Sequence, residues 1–338
     1  MILDAKVLKD AVAKCSAGIA AGVGLTQAGK VIFIPGYVMG CGTSINVRVP
    51  LPQVDISAMI AKDALDKILA KASGDLNISL KDTGMVVRHG RSRITLPSSP
   101  VPENLLPFPE KMPPAPEGFI RRLKSLAFPN KTGYAGVAWD VAIYPVLLAT
   151  DSVRIVTSEC PDLPGAAWLP EAAVAALTRA GTTATRVLND MPYIHVEYAD
   201  GTICSVLYRA ISDFPVANAC GYLQAYKDAP VLASAAFTDE ILSAIGEAEG
   251  FTDTFSQQTP IHIEFSPGML TISTENASGS FRGEAPWDGE YVGRFTVDAG
   301  PFRQMAGGVG ATLKNIDGAN IILALESNGT TTYLSPDT

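Results

Sequence analysis

The chain has 338 residues, of which 47% are hydrophobic and 18% are charged, and its formal net charge is −8. This length predicts two or three domains, and this composition predicts a large buried core and excludes a globally disordered chain. Proteins that hold nucleic acid by charge alone are usually basic, so the acidic balance argues against simple electrostatic DNA binding.

Residues 97–116 form the clearest linker. They read PSSPVPENLLPFPEKMPPAP, which is so rich in proline that neither a helix nor a central strand fits. A weaker break falls at residues 213–230. These two breaks divide the chain into three segments of similar length, which we predict to be domains: 1–113, 114–222 and 223–338.

Each segment repeats one order of elements: a helical pattern, alternating strands, a second helical pattern and closing strands. The predicted first helices span 4–19, 118–128 and 238–251, and the second ones span 60–74, 169–181 and 297–309. Asp4 and Thr238 are predicted N-caps. Because short strands follow one another without a helix between each pair, the sequence predicts antiparallel sheets with helices packed on one face, an α+β fold.

Motifs that would indicate an enzyme are missing from the sequence. It contains no GxxxxGK[ST], GxGxxG or GxSxG pattern. His89, His195 and His262 each lie in an alternating strand pattern, without a Cys, Asp or Glu at ligand spacing. We therefore predict no catalytic residue, no metal and no cofactor, and interpret the histidines as structural.

The sequence also bears on compartment. The five cysteines are scattered and form no CxxC, which predicts buried thiols in a reducing cytoplasm. No stretch approaches 18 uninterrupted apolar residues, and the first residues lack a signal-type apolar block. We expect a cytoplasmic protein without a membrane span.

The stretch GRSRITLP at residues 90–97 admits three interpretations: a phosphate-binding patch, a catalytic arginine pair or an ordinary strand. Arg91, Arg93 and Thr95 alternate with Ser92, Ile94 and Leu96. This period of two favours an ordinary strand with one solvent-exposed face and one buried face.

Residues 60–97, which end in GRSRITLP, resemble the end of the first domain of bacterial-type DNA sliding clamps, the β subunit of the replicative polymerase. Further segments resemble the same family in the same order: LLATDSVRIV (147–156), AISDFP (210–215), GMLTISTENASG (268–279) and TYLSP (332–336). DSVR replaces the family's DGHR, and the chain ends in SPDT rather than a Met-rich, basic tail. These departures are typical of a divergent member, and a virus-encoded clamp is one origin that fits them.

The resemblance implies three clamp domains per chain, each with two helices on antiparallel sheets, in a closed head-to-tail homodimer ring around duplex DNA. Such a ring is a non-catalytic processivity factor that tethers the replicative DNA polymerase and is opened by a clamp loader. Because it holds DNA by topology, a net acidic chain is acceptable. The implied DNA-binding residues lie on the helices: Lys6, Lys9, Lys14, Lys67, Lys71, Arg121, Arg122, Lys124, Arg179 and Arg303.

The helix predicted at 238–251 differs from the others because it carries Asp239, Glu240, Glu247 and Glu249 and no Lys or Arg. We expect this helix to contribute least to DNA contact.

The resemblance also implies an apolar pocket for short extended peptides of polymerases and the loader. The matching residues are Thr150, Ser152, Val153, Arg154, Ile155, Tyr222, Tyr333, Leu334, Ser335 and Pro336. For the subunit interface we expect Leu105, Leu106 and Phe108 from the proline-rich linker, with Phe251 as their counterpart.

Two alternatives stay open. A clamp-like ring could serve as a recruitment platform for repair or transcription factors rather than for a polymerase. The second alternative is a hydrolase or transferase with an unrecognised site. The absence of clustered His, Cys and carboxylates in the sequence weighs against it.

Overall fold

The computed structural model describes residues 1–19, 29–103, 105, 108–126, 135–150, 154–214, 216–236, 238–250, 260–276, 279–287, 290–298, 310–315, 321–327 and 330–334. The chain forms two compact units. Unit 1 comprises Met1–Phe128, Gly136–Pro145 and Cys160–Phe214. Unit 2 comprises Pro129–Ala135, Val146–Glu159 and Pro215–Thr338. The division into three sequence domains stays a prediction.

The helices of the described residues are α1 (Ala5–Ile19), α2 (Lys62–Leu69), α3 (Phe119–Leu126), α4 (Glu171–Ala180), α5 (Val216–Asp228) and α6 (Asp239–Gly250). Both predicted N-caps are confirmed. Asp4 Oδ1 accepts hydrogen bonds from the backbone N–H groups of Lys6 and Val7 at 2.9 and 3.1 Å. Thr238 Oγ1 accepts one from the N–H of Ile241 at 3.4 Å. These bonds satisfy N–H groups that the first helical turn leaves without a partner.

Three predictions about helices need correction. The helix predicted at 60–74 is shorter at both ends, because Ala58–Ala61 forms a strand and the chain turns after Leu69 towards Gly74, whose φ is +70°. The predicted break at 213–230 contains α5, which the sequence reading missed because its apolar residues show little periodicity. Of the helix predicted at 297–309, Val297 and Asp298 end a strand and the rest lies outside the described residues.

The strands are β1 (Ile2–Asp4), β2 (Lys30–Ile34), β3 (Tyr37–Cys41), β4 (Ile45–Pro50), β5 (Ala58–Ala61), β6 (Asp75–Lys81), β7 (Gly84–His89), β8 (Ser92–Leu96), β9 (Ser98–Ser99), β10 (Gly136–Asp140), β11 (Tyr144–Thr150), β12 (Arg154–Glu159), β13 (Ala166–Pro170), β14 (Ala184–Asp190), β15 (Tyr193–Tyr198), β16 (Ile203–Leu207), β17 (Val231–Ala236), β18 (Pro260–Ser266), β19 (Gly268–Asn276), β20 (Gly279–Trp287), β21 (Gly293–Asp298), β22 (Gly310–Asn315), β23 (Ile321–Ser327) and β24 (Thr330–Leu334).

Unit 1 contains an eight-stranded sheet in the order β14-β15-β16-β4-β3-β2-β5-β9 and a four-stranded sheet in the order β1-β6-β7-β8. The central pair of the larger sheet joins strands that are distant in sequence, with Ile45 opposite Val206 and Arg48 opposite Ile203. The first two predicted sequence domains therefore contribute strands to one continuous sheet.

Helix α1 lies unusually close to the eight-stranded sheet. Its Cys15 thiol donates to the carbonyl oxygen of Val38 at 3.5 Å. A Cβ placed on Gly40 would lie 2.2 Å from the Cys15 carbonyl oxygen, and one on Gly18 would lie 2.2 Å from the Gly40 carbonyl oxygen. Glycine at positions 18 and 40 thus allows helix and strand backbones to touch.

Unit 2 contains a second four-stranded sheet in the order β20-β19-β18-β21. Helix α6 covers it through Ile241, Ala244, Ile245 and Ala248, and the core between them includes Phe265, Trp287 and Phe295. A further sheet of this unit places β11, β12, β24, β23, β22 and β17 side by side. The observed strand pairs are antiparallel, so the predicted α+β class is confirmed.

The proline-rich linker crosses the eight-stranded sheet from one edge to the other. It leaves β9, which pairs with β5, and Pro114 reaches Arg186 of β14 at the opposite edge. Seven strand spacings of about 4.8 Å give a width of about 34 Å. The 14 residues from Pro100 to Pro113 can reach about 43 Å in the extended polyproline conformation, enough to span this width.

The linker is anchored midway by side chains. Leu105 and Phe108 pack against a cluster of buried residues on the sheet face away from α1: Ile32, Met39, Cys41 and Met59. The guanidinium of Arg48 lies between two rings, with its Cζ 4.7 Å from the centroid of Tyr37 and 4.7 Å from that of Phe108. These contacts fasten the linker to the sheet through apolar burial and cation–π attraction.

Replacing Gly40 by alanine should destabilise unit 1 by about 2 to 3 kcal/mol, because the new methyl group would collide with the Cys15 carbonyl. The urea midpoint of unfolding measures this loss. Gly221→Ala in α5 is the control, since no atom lies within 4 Å of its Cβ position. Equal midpoints for the two variants would contradict the close approach.

Phe108→Ala should release the middle of the linker, with a loss of about 1 to 2 kcal/mol for a half-buried ring. Faster tryptic cleavage after Lys111 in the folded protein reports the release. The control is Glu110→Ala, because that side chain is exposed in the same linker. Cleavage at the wild-type rate in Phe108→Ala would show that the ring does not anchor the linker.

Candidate functional site

Four helices of unit 1 form a continuous layer. Helix α1 packs against α2 and α4, and α4 packs in turn against α3. The layer rests on the sheets below, with α1 on β3 and β4 and α4 on β16. Because each helix buries its apolar stripe against a sheet, the opposite faces together present one surface to solvent.

The layer is basic although the chain is acidic. Helices α1 to α4 contain nine Lys or Arg residues and four Asp or Glu residues, a net charge of +5, while the whole chain has −8. Helix α3 contributes Arg121, Arg122 and Lys124 and no carboxylate. A surface of this charge attracts a polyanion.

Most of the predicted DNA-binding residues lie exposed on this layer. Those with exposed side chains are Lys6, Lys9, Lys67, Arg121, Lys124 and Arg179, together with Lys71 just beyond the end of α2. The salt bridges found among the described residues include none of these seven. Their charges are therefore available to a ligand.

Two of the predicted DNA-binding residues are engaged within the chain. The ammonium group of Lys14 forms an ion pair with Asp200. Burial alone would raise the pKa of Asp200, but hydrogen bonds from Lys14 and Thr202 outweigh it and lower that pKa. The half-buried Arg122 donates from Nε to the Glu117 carbonyl at 3.2 Å. Arg303 lies outside the described residues.

Strand pairing in unit 2 brings together positions of the predicted peptide pocket that are distant in sequence. Thr150 lies opposite Ile155, and Ile155 in turn lies opposite Tyr333. Arg154 lies opposite Leu334. Ser152, Val153, Ser335 and Pro336 lie outside the described residues.

Tyr222 lies on α5 and is 60% exposed, stacked on Tyr226 with ring centroids 6.3 Å apart. An ion pair at 4.0 Å joins Lys227 of α5 to Glu159 at the end of β12. The last turn of α5 therefore approaches the end of β12, and this unpredicted helix carries two stacked tyrosines.

The predicted interface residues Leu105 and Phe108 already bury part of their apolar surface against the eight-stranded sheet of their own chain. Leu106 and Phe251 lie outside the described residues. The interface stays a prediction for these four residues.

Strand β8 exposes an apolar residue that the sequence pattern predicted to be buried. Leu96 is 7% exposed, as expected for the buried face, but Ile94 is 40% exposed. Among the described strands β8 pairs only with β7, so it is an open edge. An exposed apolar residue on an unpaired edge marks a place where another chain can add a strand.

Burial and hydrogen bonds within the chain engage several cysteines and histidines of the described residues. Burial raises the pKa of Cys41 to about 11 and that of Cys204 to about 12, which keeps these thiols protonated and unreactive. His195 is buried, bonds Ser205 Oγ through Nδ1 at 2.7 Å, and has a pKa lowered by burial. His262 and His89 have partners in Thr296 and Ser73.

Within the described residues, the His, Cys, Asp and Glu side chains form no group of three suited to a metal ion. No described helix is both long and apolar enough to cross a bilayer.

No family model and no curated protein matches this sequence. Solved structures do match along its whole length. The DNA polymerase sliding clamp of Bacillus subtilis is 13% identical, with a TM-score of 0.78 over 100% of this chain and 98% of that one. The beta sliding clamp of Caulobacter crescentus is 15% identical, with a TM-score of 0.80 over 100% and 98%.

The DNA polymerase sliding clamp of Pseudomonas aeruginosa is 15% identical, with a TM-score of 0.77 over 100% of this chain and 99% of that one. These three proteins are bacterial, so they lend no support to a viral origin. At such low identity the likeness concerns architecture, and it confirms the resemblance seen in the sequence: the chain has the fold of bacterial DNA sliding clamps from end to end.

Proposed function

We propose that this chain is a DNA sliding clamp, a non-catalytic ring that encircles duplex DNA and tethers a replicative DNA polymerase for processive synthesis. The observation that carries the proposal is the basic helix layer of unit 1 within a chain that has the clamp fold and a net charge of −8. Duplex DNA is the partner of this surface. The polymerase and a clamp loader are the protein partners, and the cytoplasm is the compartment.

The charge balance suits sliding. A ring that is closed around DNA needs no strong phosphate binding to stay on it, and strong binding would resist movement along the duplex. Exposed lysines and arginines on the helices supply weak, sequence-independent attraction that keeps the duplex near the layer. The acidic remainder of the chain discourages DNA from binding elsewhere on the protein.

Ring closure requires two unlike surfaces on each copy, because a head-to-tail contact joins different patches. The two units differ in charge. Unit 1 carries 19 Lys or Arg residues against 17 Asp or Glu residues, whereas unit 2 carries 7 against 17. Their net charges of +2 and −10 favour a contact between unit 1 of one copy and unit 2 of the next.

The open edge of β8 is the best candidate for the contact surface of unit 1. Arg88 and Arg93 lie directly opposite each other on β7 and β8, and like charges so placed repel. Arg88, Arg91 and Arg93 take part in none of the salt bridges found among the described residues. Carboxylates of a second copy would relieve this repulsion while Ile94 becomes buried.

Peptide docking is the second part of the proposal. The adjacent positions of Thr150, Ile155 and Tyr333 support a pocket for an extended segment of a polymerase or loader, to which Tyr222 of α5 would contribute. In such a pocket apolar side chains receive the anchors of the segment, and backbone groups fix its direction.

The ring predicts a native mass of twice the chain mass of 35.5 kDa. After long incubation at micromolar concentration, the protein should stay on a nicked circular plasmid through a wash with high salt, and it should leave the same plasmid after linearisation. The linear form is the matched control. A monomer, or equal retention on both forms, would contradict the proposal.

Ile94→Asp should convert the dimer to a folded monomer, because a carboxylate would be buried without a partner at the β8 edge. Native mass measures the change and circular dichroism verifies the fold. Ile143→Asp is the control, since Ile143 is also exposed, at 50%, but lies in a turn. A dimeric Ile94→Asp protein would exclude β8 as the interface.

A further inference from the structure

Helices α1 and α6 bury the same pattern of positions. The buried residues Leu8, Ala11, Val12 and Cys15 of α1 have the spacing of Ile241, Ala244, Ile245 and Ala248 of α6. Each set faces a sheet of its own unit. Because each is also the first helix predicted for its sequence segment, α6 is the structural counterpart of α1.

The outward faces of these two helices have opposite charge. When the buried positions are aligned, Asp239 corresponds to Lys6 and Glu247 corresponds to Lys14. Asp239, Glu240 and Glu247 are all exposed, and α6 contains no Lys or Arg. The two helices thus share the same buried apolar positions, but basic residues on the exposed face of α1 correspond to acidic residues on that of α6.

From this inversion we infer that the DNA path is one-sided: duplex phosphates contact the α1–α4 layer of unit 1, and the acidic face of α6 repels them. The inference rests on the proposed clamp function and adds the position of the duplex. At physiological salt the Debye length is about 8 Å, so side-chain charges within that distance of a phosphate attract or repel it directly.

Site-specific photocrosslinking tests where the duplex lies. A photoreactive residue is placed at Lys9, Arg179 or Ser243 of the full-length protein, one position per variant, and the protein is bound to a nicked circular plasmid. All three positions are exposed on helices, and Ser243 lies between Glu240 and Glu247 on the outward face of α6. We expect crosslinks from positions 9 and 179 and a several-fold lower yield from 243.

The outcomes separate the inference from the function. Equal yields from the three positions would overturn the one-sided path and leave the clamp function intact. Absence of crosslinks at every position, together with loss of retention on circular DNA, would overturn the clamp function itself.

A second pair of variants tests repulsion by α6. Glu240→Gln with Glu247→Gln should raise the crosslink yield from Ser243 several-fold at low salt, and the gain should disappear as salt screens the charges. Glu264→Gln with Glu275→Gln is the matched control, because it removes two exposed carboxylates from a sheet of the same unit.

An equal gain in the control would mean that total charge, not the α6 face, governs the yield. No gain in the α6 variant would mean that this helix does not face the duplex. Either result would overturn repulsion by α6.

Discussion

The pairing of β4 with β16 is the contact on which the rest of unit 1 depends. It joins Ile45–Arg48 to Ile203–Val206, two stretches more than 150 residues apart in the sequence. The resulting eight-stranded sheet is wide enough to carry helices from two sequence segments in one layer. Without this pair, α1 and α4 would lie on separate small sheets, and the basic residues of four helices would not share a surface.

The linker reinforces that pair from the other face of the sheet. It leads from β9 at one edge to β14 at the other, and Leu105 and Phe108 pack against the sheet between these points. The guanidinium of Arg48 makes cation–π contacts with two aromatic rings on this face, whereas lysines on the helices remain exposed. One face of the sheet is thus covered by the linker, and the other face carries the basic helix layer.

Several features could be predicted because they depend on local sequence. The periodicity of three and four in α1 and α6, and the side-chain caps at Asp4 and Thr238, are local properties that the structure confirms. Other features were missed because they depend on distant partners. Lys14 resembles its neighbours in sequence, but it forms an ion pair with Asp200. Ile94 has the alternation of a buried residue, but it is exposed because β8 lies at an edge of its sheet. Helix α5 was missed because weak periodicity leaves little signal.

By itself the sequence determined the α+β class, most of the helices and strands, the uneven distribution of charge and the resemblance to the clamps. These follow from short-range spacing and from residue identity, which need no knowledge of the partner strand. The tertiary structure alone decided which basic side chains remain available, which strand edge is open and which side of the sheet the linker covers. Those properties arise when residues far apart in the chain come within a few ångströms, and local periodicity carries no information about such encounters.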